Sequence, residues 1–251
     1  MAETILVTGA SAGFGQAICQ RLVADGHRVI GAARRIEKLQ ALHEELGEAF
    51  YPLQMDVTDL TQVDQALASL PKAWEQIDVL VNNAGLALGL APAQKAEIAD
   101  WLTMIQTNII GLTYLTRQIL PQMVERNDGY VINMGSTAET VPYPGANVYG
   151  ASKAFVKQFS LNLRADLAGK QIRVTNIEPG LCEGTEFSSV RFKGDEKRVE
   201  ALYRDAHAIQ PEDIANTVSW LIQQPKHVNV NRIEIMPVSQ TFGPQPVYRG
   251  D

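Results

Sequence analysis

The stretch Thr4-Ile5-Leu6-Val7-Thr8-Gly9-Ala10-Ser11-Ala12-Gly13-Phe14-Gly15-Gln16-Ala17-Ile18 decides the fold. Four residues that favour extended backbone run into a loop with three glycines, and a helical pattern follows. Gly13–Ala24 carries Ala17, Ile18, Arg21 and Leu22 at helical spacing. A strand, a glycine turn and a helix in immediate succession are the opening of a βαβ unit.

The rhythm continues outward from that unit. Arg28-Val29-Ile30-Gly31-Ala32 reads as a second strand, and Ile36–Leu46 as a charged helix closed by Gly47. Residues 50–57 give a third strand, 59–70 a third helix, and Ile77-Asp78-Val79-Leu80-Val81 a fourth strand. A long helix is expected over 98–126, a strand over Gly129–Met134 and another long helix over 148–167. Residues 172–177 read as a strand and 178–210 as irregular and charged. Pro211–Gln223 reads as a helix with Pro at its first position and acids in its first turn, and 233–235 as the last strand. Strands so spaced form a parallel sheet, and near-continuous apolar strands fit one covered on both faces. No Pro/Ser/Gly-rich linker divides the chain. The expectation is a single α/β domain over 1–251, a parallel sheet covered by helices on both faces, with a tail over 237–251, frayed or docked on a partner subunit.

Composition narrows the function. The 251 residues are 45% hydrophobic with a net charge of −6, which offers nothing to a nucleic-acid backbone. No apolar run reaches the roughly 18 residues a membrane span requires. Met1-Ala2-Glu3-Thr4 has no basic character, so no signal peptide is expected. The two cysteines, Cys19 and Cys182, form no CxxC pair, and the four histidines have no ligand spacing. A cytoplasmic protein with free thiols and no metal is expected, with Cys19 a small core residue.

The glycine loop has the chemistry of a phosphate cradle. Gly9, Ala10, Ser11, Ala12, Gly13, Phe14 and Gly15 join a strand to a helix N-terminus, where free N–H groups meet an anion. The spacing is G-x-x-x-G-x-G. At the end of the second strand an acid would take a ribose 2′-hydroxyl, whereas arginine accommodates a 2′-phosphate. Here Ala33 is followed by Arg34 and Arg35. Cations opening a helix cost about 0.3–1 kcal/mol, so two in a row point to an anion and NADP is the expected cofactor. Asp56 and Val57 end the third strand within reach of an adenine. Asn82-Asn83-Ala84-Gly85 ends the fourth, where amides brace strands and line the ribose.

Tyr149 and Lys153 stand four residues apart on one helix face. A tyrosine is a poor base near neutrality, but an adjacent ammonium favours its phenolate. Such a pair moves a proton to or from a carbinol oxygen while the carbon exchanges hydride with the cofactor. Ser136 is placed to hold the substrate oxygen, and Asn108 to anchor a water that relays protons from Lys153.

These motifs occur in one order: Thr8-Gly9, Gly13 and Gly15, Asn82-Asn83-Ala84-Gly85, Asn108, Ser136, Tyr149 with Lys153, and Pro179-Gly180. Together the chain resembles the short-chain dehydrogenase/reductase family over residues 4–236. The resemblance implies a single Rossmann-like doubly wound domain with sheet order 3-2-1-4-5-6-7, a substrate lid over 181–210, a homotetramer, and an Asn108–Ser136–Tyr149–Lys153 tetrad. It also places Asn83, Ala84, Gly85, Tyr149, Lys153, Pro179, Gly180, Thr185 and Phe187 on the cofactor. A narrower similarity runs through Asn82–Gly89, Val148–Ser160, Glu178–Gly180, Thr185-Glu186-Phe187 and Arg191–Asp195. It is to bacterial NADP-dependent 3-hydroxy acid dehydrogenases, which act on serine, allo-threonine and 3-hydroxypropionate-type substrates. Reductases of malonic semialdehyde and sulfoacetaldehyde look alike there. Cys182-Glu183 departs from that pattern and puts a carboxylate near the substrate pocket. Arg191 is the expected clamp for the anionic end of a small hydroxy acid or aldehyde, with a sulfoacetaldehyde reductase or a non-catalytic NADP sensor as the alternatives.

Overall fold

The computed structural model describes residues 2–243. β1 (Thr4–Thr8) is buried along its whole length, and its side chains alternate between two cores. Ile5 and Val7 point into one core and Leu6 into the other, the period of two that a strand imposes. One core is completed by α1 (Gly13–Ala24), α2 (Ile36–Leu46) and α9 (Pro211–Gln223), through Ile18, Leu39 and Val218. The other is completed by α3 (Leu60–Ala68), α5 (Leu112–Arg126) and α6 (Asn147–Asp166), through Val63, Leu115 and Leu163.

Six further strands flank β1: β2 (Arg28–Ala33), β3 (Phe50–Gln54), β4 (Val79–Asn82), β5 (Gly129–Met134), β6 (Ile172–Pro179) and β7 (Arg232–Ile235). The order is β3-β2-β1-β4-β5-β6-β7, every pair parallel, as expected. The strand order reverses between β1 and β4. That switch point opens a crevice at the carboxyl ends of the strands. No helix among the described residues is long and apolar enough to cross a membrane. Cys19 is fully buried in the α1 core.

Three expectations need correction. The third strand stops at Gln54, because Asp56 leaves the sheet to cap its own loop, accepting from the Thr58 N–H at 2.9 Å. The helix over 98–126 is not uniform. α4 (Ile98–Ile105) widens into a π-helical segment, Gln106–Gly111, before α5 begins, and Asn108 lies in it. Single-turn π-segments collect at functional sites, and periodicity read at 3.6 residues per turn does not reveal them. The 178–210 stretch is not wholly irregular either. β6 extends to Pro179, and α7 (Phe187–Arg191) and α8 (Glu196–Tyr203) follow. These helices are one or two turns long, too short to show a face in the sequence. α8 is started by Asp195, whose carboxylate accepts from the Arg198 N–H at 3.2 Å. The described part of the tail makes contacts with its own chain. Gln240 Oε1 accepts from the Leu181 N–H at 2.7 Å, and the Ser239 hydroxyl donates to the Ala206 carbonyl. Residues 244–251 lie outside the described residues.

Candidate active site

A cavity of about 610 Å³ occupies the crevice. Its floor is the glycine loop. Gly9 and Gly13 have φ of +69° and +52°, the left-handed region that L side chains rarely enter. A Cβ on Gly15 would stand 2.2 Å from the Gly9 carbonyl oxygen, so only glycine lets α1 start so close to β1. The N-cap Ala12 offers no side-chain hydrogen bond and the first turn has no acid. The α1 N–H groups therefore face the cavity unneutralised, a fit for a diphosphate. Ser11, Ala12, Gly13 and Phe14 line it with Gly9, whereas Ala10 is buried in the core and Gly15 sits behind the loop.

Buried polar contacts hold this loop. Thr8 Oγ1 accepts from the Asn83 and Ala84 N–H groups at 3.0 and 2.9 Å, and Asn83 Nδ2 donates to the Thr8 carbonyl at 2.8 Å. Asn82 instead braces the sheet, donating to Thr116 Oγ1 and Asn133 Oδ1, both at 2.9 Å. Of the pair, Asn83 reaches the cavity, with Ala84 and Gly85.

Arg34, Arg35, Asp56 and Val57 line the far end. Arg35 Nε and Nη2 donate to Ser11 Oγ at 3.2 and 3.0 Å, and its guanidinium forks onto the Glu186 carboxylate at 3.1 and 2.8 Å. Lys38 Nζ joins the same carboxylate at 3.0 Å. Their hydrogen bonds hold the Glu186 carboxyl down at about 2. Sequence reasoning passed over this role of Glu186, since its partners lie about 150 positions away. Thr185 packs against Gly13, and Pro179, Gly180, Thr185 and Phe187 all line the wall.

At the other end, α6 presents Tyr149 and Lys153, both buried, and β5 delivers Ser136 just beyond Met134. Lys153 Nζ donates to the Met134 carbonyl at 2.7 Å and lies 5.9 Å from the Tyr149 ring centroid. Burial pushes the Lys153 ammonium down to about 8. Burial also raises the Tyr149 phenol above its ordinary value, with the Ser136 hydroxyl and the Arg191 guanidinium pulling it back. The expected lowering by Lys153 is therefore outweighed by desolvation of the phenol. Asn108 does not line the cavity. It lies behind Gly85-Leu86, accepting from the Leu86 N–H at 3.0 Å and donating to the Leu86 carbonyl at 2.9 Å and Ser152 Oγ at 3.0 Å. A Cβ on Gly85 would be 3.3 Å from both Asn108 Oδ1 and Lys153 Nζ, so the two groups flank that glycine.

Arg191 comes from α7 to the same end. Its guanidinium carbon lies 5.3 Å from the ring centroids of both Tyr143 and Tyr149, and Nη2 donates to the Tyr143 hydroxyl at 2.8 Å. No carboxylate among the described residues pairs with it. Tyr143 was not singled out from the sequence, although it stands between Ser136 and Tyr149 in a Pro-flanked loop. Cys182 lines the cavity as a neutral thiol pushed up to about 12 by burial. Glu183 does not reach it and accepts from Gln210 Nε2 at 2.6 Å, so the expected carboxylate in the pocket is turned away.

The short chain dehydrogenase profile matches residues 3–196. The chain belongs to the short-chain dehydrogenase family. Among relatives of this family, the NADP-dependent 3-hydroxy acid dehydrogenase YdfG of Escherichia coli strain K12 is 56% identical over 98% of this chain and 99% of its own. Serine 3-dehydrogenase of Rhizobium radiobacter is 53% identical over 99% of both chains. A closed form of serine dehydrogenase complexed with NADP+ superposes with a TM-score of 0.97 at 55% identity, over 98% of this chain and 100% of that one.

Proposed function

We propose that this chain is an NADP-dependent oxidoreductase acting on the 3-hydroxyl or 3-oxo carbon of a small anionic 3-hydroxy acid. The observation that carries this reading is Arg191, a guanidinium without a carboxylate partner, set beside Tyr149 in the cavity. A fork-shaped cation suits a carboxylate or a sulfonate bidentately. Its guanidinium carbon lies 5.3 Å from the Tyr149 ring centroid, close enough for one small substrate to reach both groups.

The glycine loop would hold the diphosphate of NADP and Arg34 and Arg35 its 2′-phosphate, and the cofactor, when bound, would supply the hydride acceptor or donor. Tyr149 moves the proton of the substrate oxygen, and the Ser136 hydroxyl holds that oxygen. Lys153 keeps one N–H on Met134 and has two others for a ribose hydroxyl and a relaying water. The Asn108 amide is fully engaged, so its part in the relay falls to its backbone in the π-segment. The buried phenol rests un-ionised and is ready to protonate a carbonyl, whereas oxidation needs it ionised. Oxidation should therefore accelerate as pH rises toward the Tyr149 value, and reduction should not.

A spectrophotometric panel tests the reading, with serine, allo-threonine, 3-hydroxypropionate, malonic semialdehyde and sulfoacetaldehyde against either cofactor. Turnover of a 3-hydroxy acid or its semialdehyde with NADP(H) is expected. Equal efficiency with NAD and NADP, or binding of NADP without turnover of any member, overturns it. We further propose a homotetramer. Ile98 and Leu102 on α4, Phe155 on α6 and Trp220 on α9 are exposed apolar side chains that favour association, and a monomer mass by light scattering would exclude it.

A further inference from the structure

Beneath Ser136 lies a buried polar cluster for which the proposed chemistry has no use. Glu139 sits three residues after Ser136, in the short turn Thr137–Glu139, with its side chain sealed from solvent. Its Oε2 accepts from the Ser136 N–H at 3.3 Å, and the Ser136 hydroxyl accepts from the Ala138 N–H at 3.1 Å. The carboxyl reaches back over Gly135, where a Cβ would stand 2.4 Å from Oε2. Any other residue at 135 would push Glu139 off Ser136.

Across the sheet, Glu139 meets β6. Asn176 Nδ2 donates to both Glu139 oxygens, at 3.0 and 3.1 Å, and to Glu178 Oε1 at 3.0 Å. The two carboxyls thus share the Asn176 amide, and burial and Glu178 push the Glu139 carboxyl up while Glu178 itself is held down by Arg232. Arg232, on β7, forks onto Glu178 at 2.5 and 2.7 Å and lies 3.9 Å from Glu139. On α6, Lys157 Nζ is 4.0 Å from the Glu139 carboxyl, and Lys153 Nζ sits on the carbonyl of the Met134–Gly135 peptide, next to the Gly135 that Glu139 covers. Two buried carboxyls that share one amide do not both ionise readily. Arg232 fixes the negative charge on Glu178, and the proton stays with Glu139.

We propose that Glu139, wedged between Ser136 and the Glu178–Arg232 pair, is a positioning residue that orients the Ser136 hydroxyl and supplies counter-charge to Lys153 at alkaline pH. This rests on Ser136 and Lys153 serving the reaction as described above. With the proton in place, the carboxyl is a neutral acceptor that holds the Ser136 turn. When pH rises and the proton leaves, the new anion favours the Lys153 ammonium, so that lysine stays charged longer than its burial alone permits.

The test uses Glu139→Gln, Glu139→Ala and Ser136→Ala in the full chain, measuring reductive kcat against pH and NADPH affinity by fluorescence. Glu139→Gln keeps a neutral acceptor for the Ser136 N–H but never becomes an anion. It should hold kcat within about threefold at neutral pH while its alkaline limb moves toward acid by about half a pH unit, roughly the effect of one screened charge. Glu139→Ala should lose about tenfold in kcat, as expected for one lost hydrogen bond, with NADPH affinity unchanged. An alkaline limb in Glu139→Gln that coincides with the unsubstituted enzyme overturns the proposal, whether or not Glu139→Ala folds. So does a folded Glu139→Ala with full kcat. If Ser136→Ala retains full kcat, the assignment of Ser136 fails first, a result distinct from either Glu139 outcome.

Discussion

The wall that carries Tyr149 and the lid that carries Arg191 face each other across one cavity, and they are built differently. Tyr149 and Lys153 project from a twenty-residue helix with a continuous buried face, against strands buried on both sides. Arg191 ends a five-residue helix held by polar contacts: the Gly89 N–H on the Arg191 carbonyl at 2.9 Å, the half-exposed Lys193–Asp100 pair, and Glu186 on Arg35. Burial raises the Tyr149 phenol and lowers the Lys153 ammonium on the wall, while the lid presents a guanidinium with no carboxylate partner among the described residues. The wall therefore tolerates little movement, and the lid is free to differ in what it binds.

Breaking the wall should cost most. Tyr149→Phe removes the proton carrier and should lower kcat by about 10²–10⁴-fold, with NADPH affinity by fluorescence close to the unsubstituted enzyme. A loss confined to KM would mean that the phenol only binds. Breaking the lid side should be smaller and selective. Arg191→Met removes one charge-assisted contact, about 1.5–3 kcal/mol or roughly 10–150-fold in kcat/KM for a 3-hydroxy acid. A neutral alcohol of similar size should be little affected, and equal losses on both would sink the clamp.

The remaining tests sit at the cofactor end, where wall and lid touch. Arg35→Ala, and separately Arg34→Ala, should raise the Michaelis constant for NADPH by about tenfold, one phosphate contact each, while that for NADH stays level. An unchanged NADPH constant in both variants would remove the arginines from cofactor choice. The smallest effect belongs to Glu186. Its carboxyl is held well below the ordinary range, so its stabilising pairing is present above that range and is lost as pH falls toward about 2. Because the pair is about half exposed, Glu186→Gln should cost under about 1 kcal/mol at neutral pH. That difference should vanish in thermal melts at strongly acid pH, and a gap that widened on acidification would reverse the assignment.

Legibility from sequence followed the same division. The glycine loop, the alternation of strands and helices and the Tyr149–Lys153 spacing could be read because each rests on neighbours within a turn or a βαβ unit, whereas the strand order came only with the family resemblance. The π-segment around Asn108 escaped because the six residues Gln106–Gly111 continue the helix without a break, and side-chain spacing alone does not separate the two helical registers. The lid helices escaped because they are too short to carry a period. Glu186 and Tyr143 escaped because what matters about them is a partner on another element.

By itself the sequence determined that a parallel sheet would form, that its first turn would be a cradle for an anion, that two arginines would stand at the cradle's end, and that a tyrosine and a lysine would share one face. Those are consequences of backbone geometry and local spacing. Only the tertiary structure decided that Asn108 turns behind Gly85, that Glu183 leaves the pocket, that Arg191 meets Tyr149, and that Glu139 and Glu178 share the Asn176 amide across the sheet. Those contacts depend on which strand ends lie side by side, and that register is set by how both cores close around the sheet, not by any one segment.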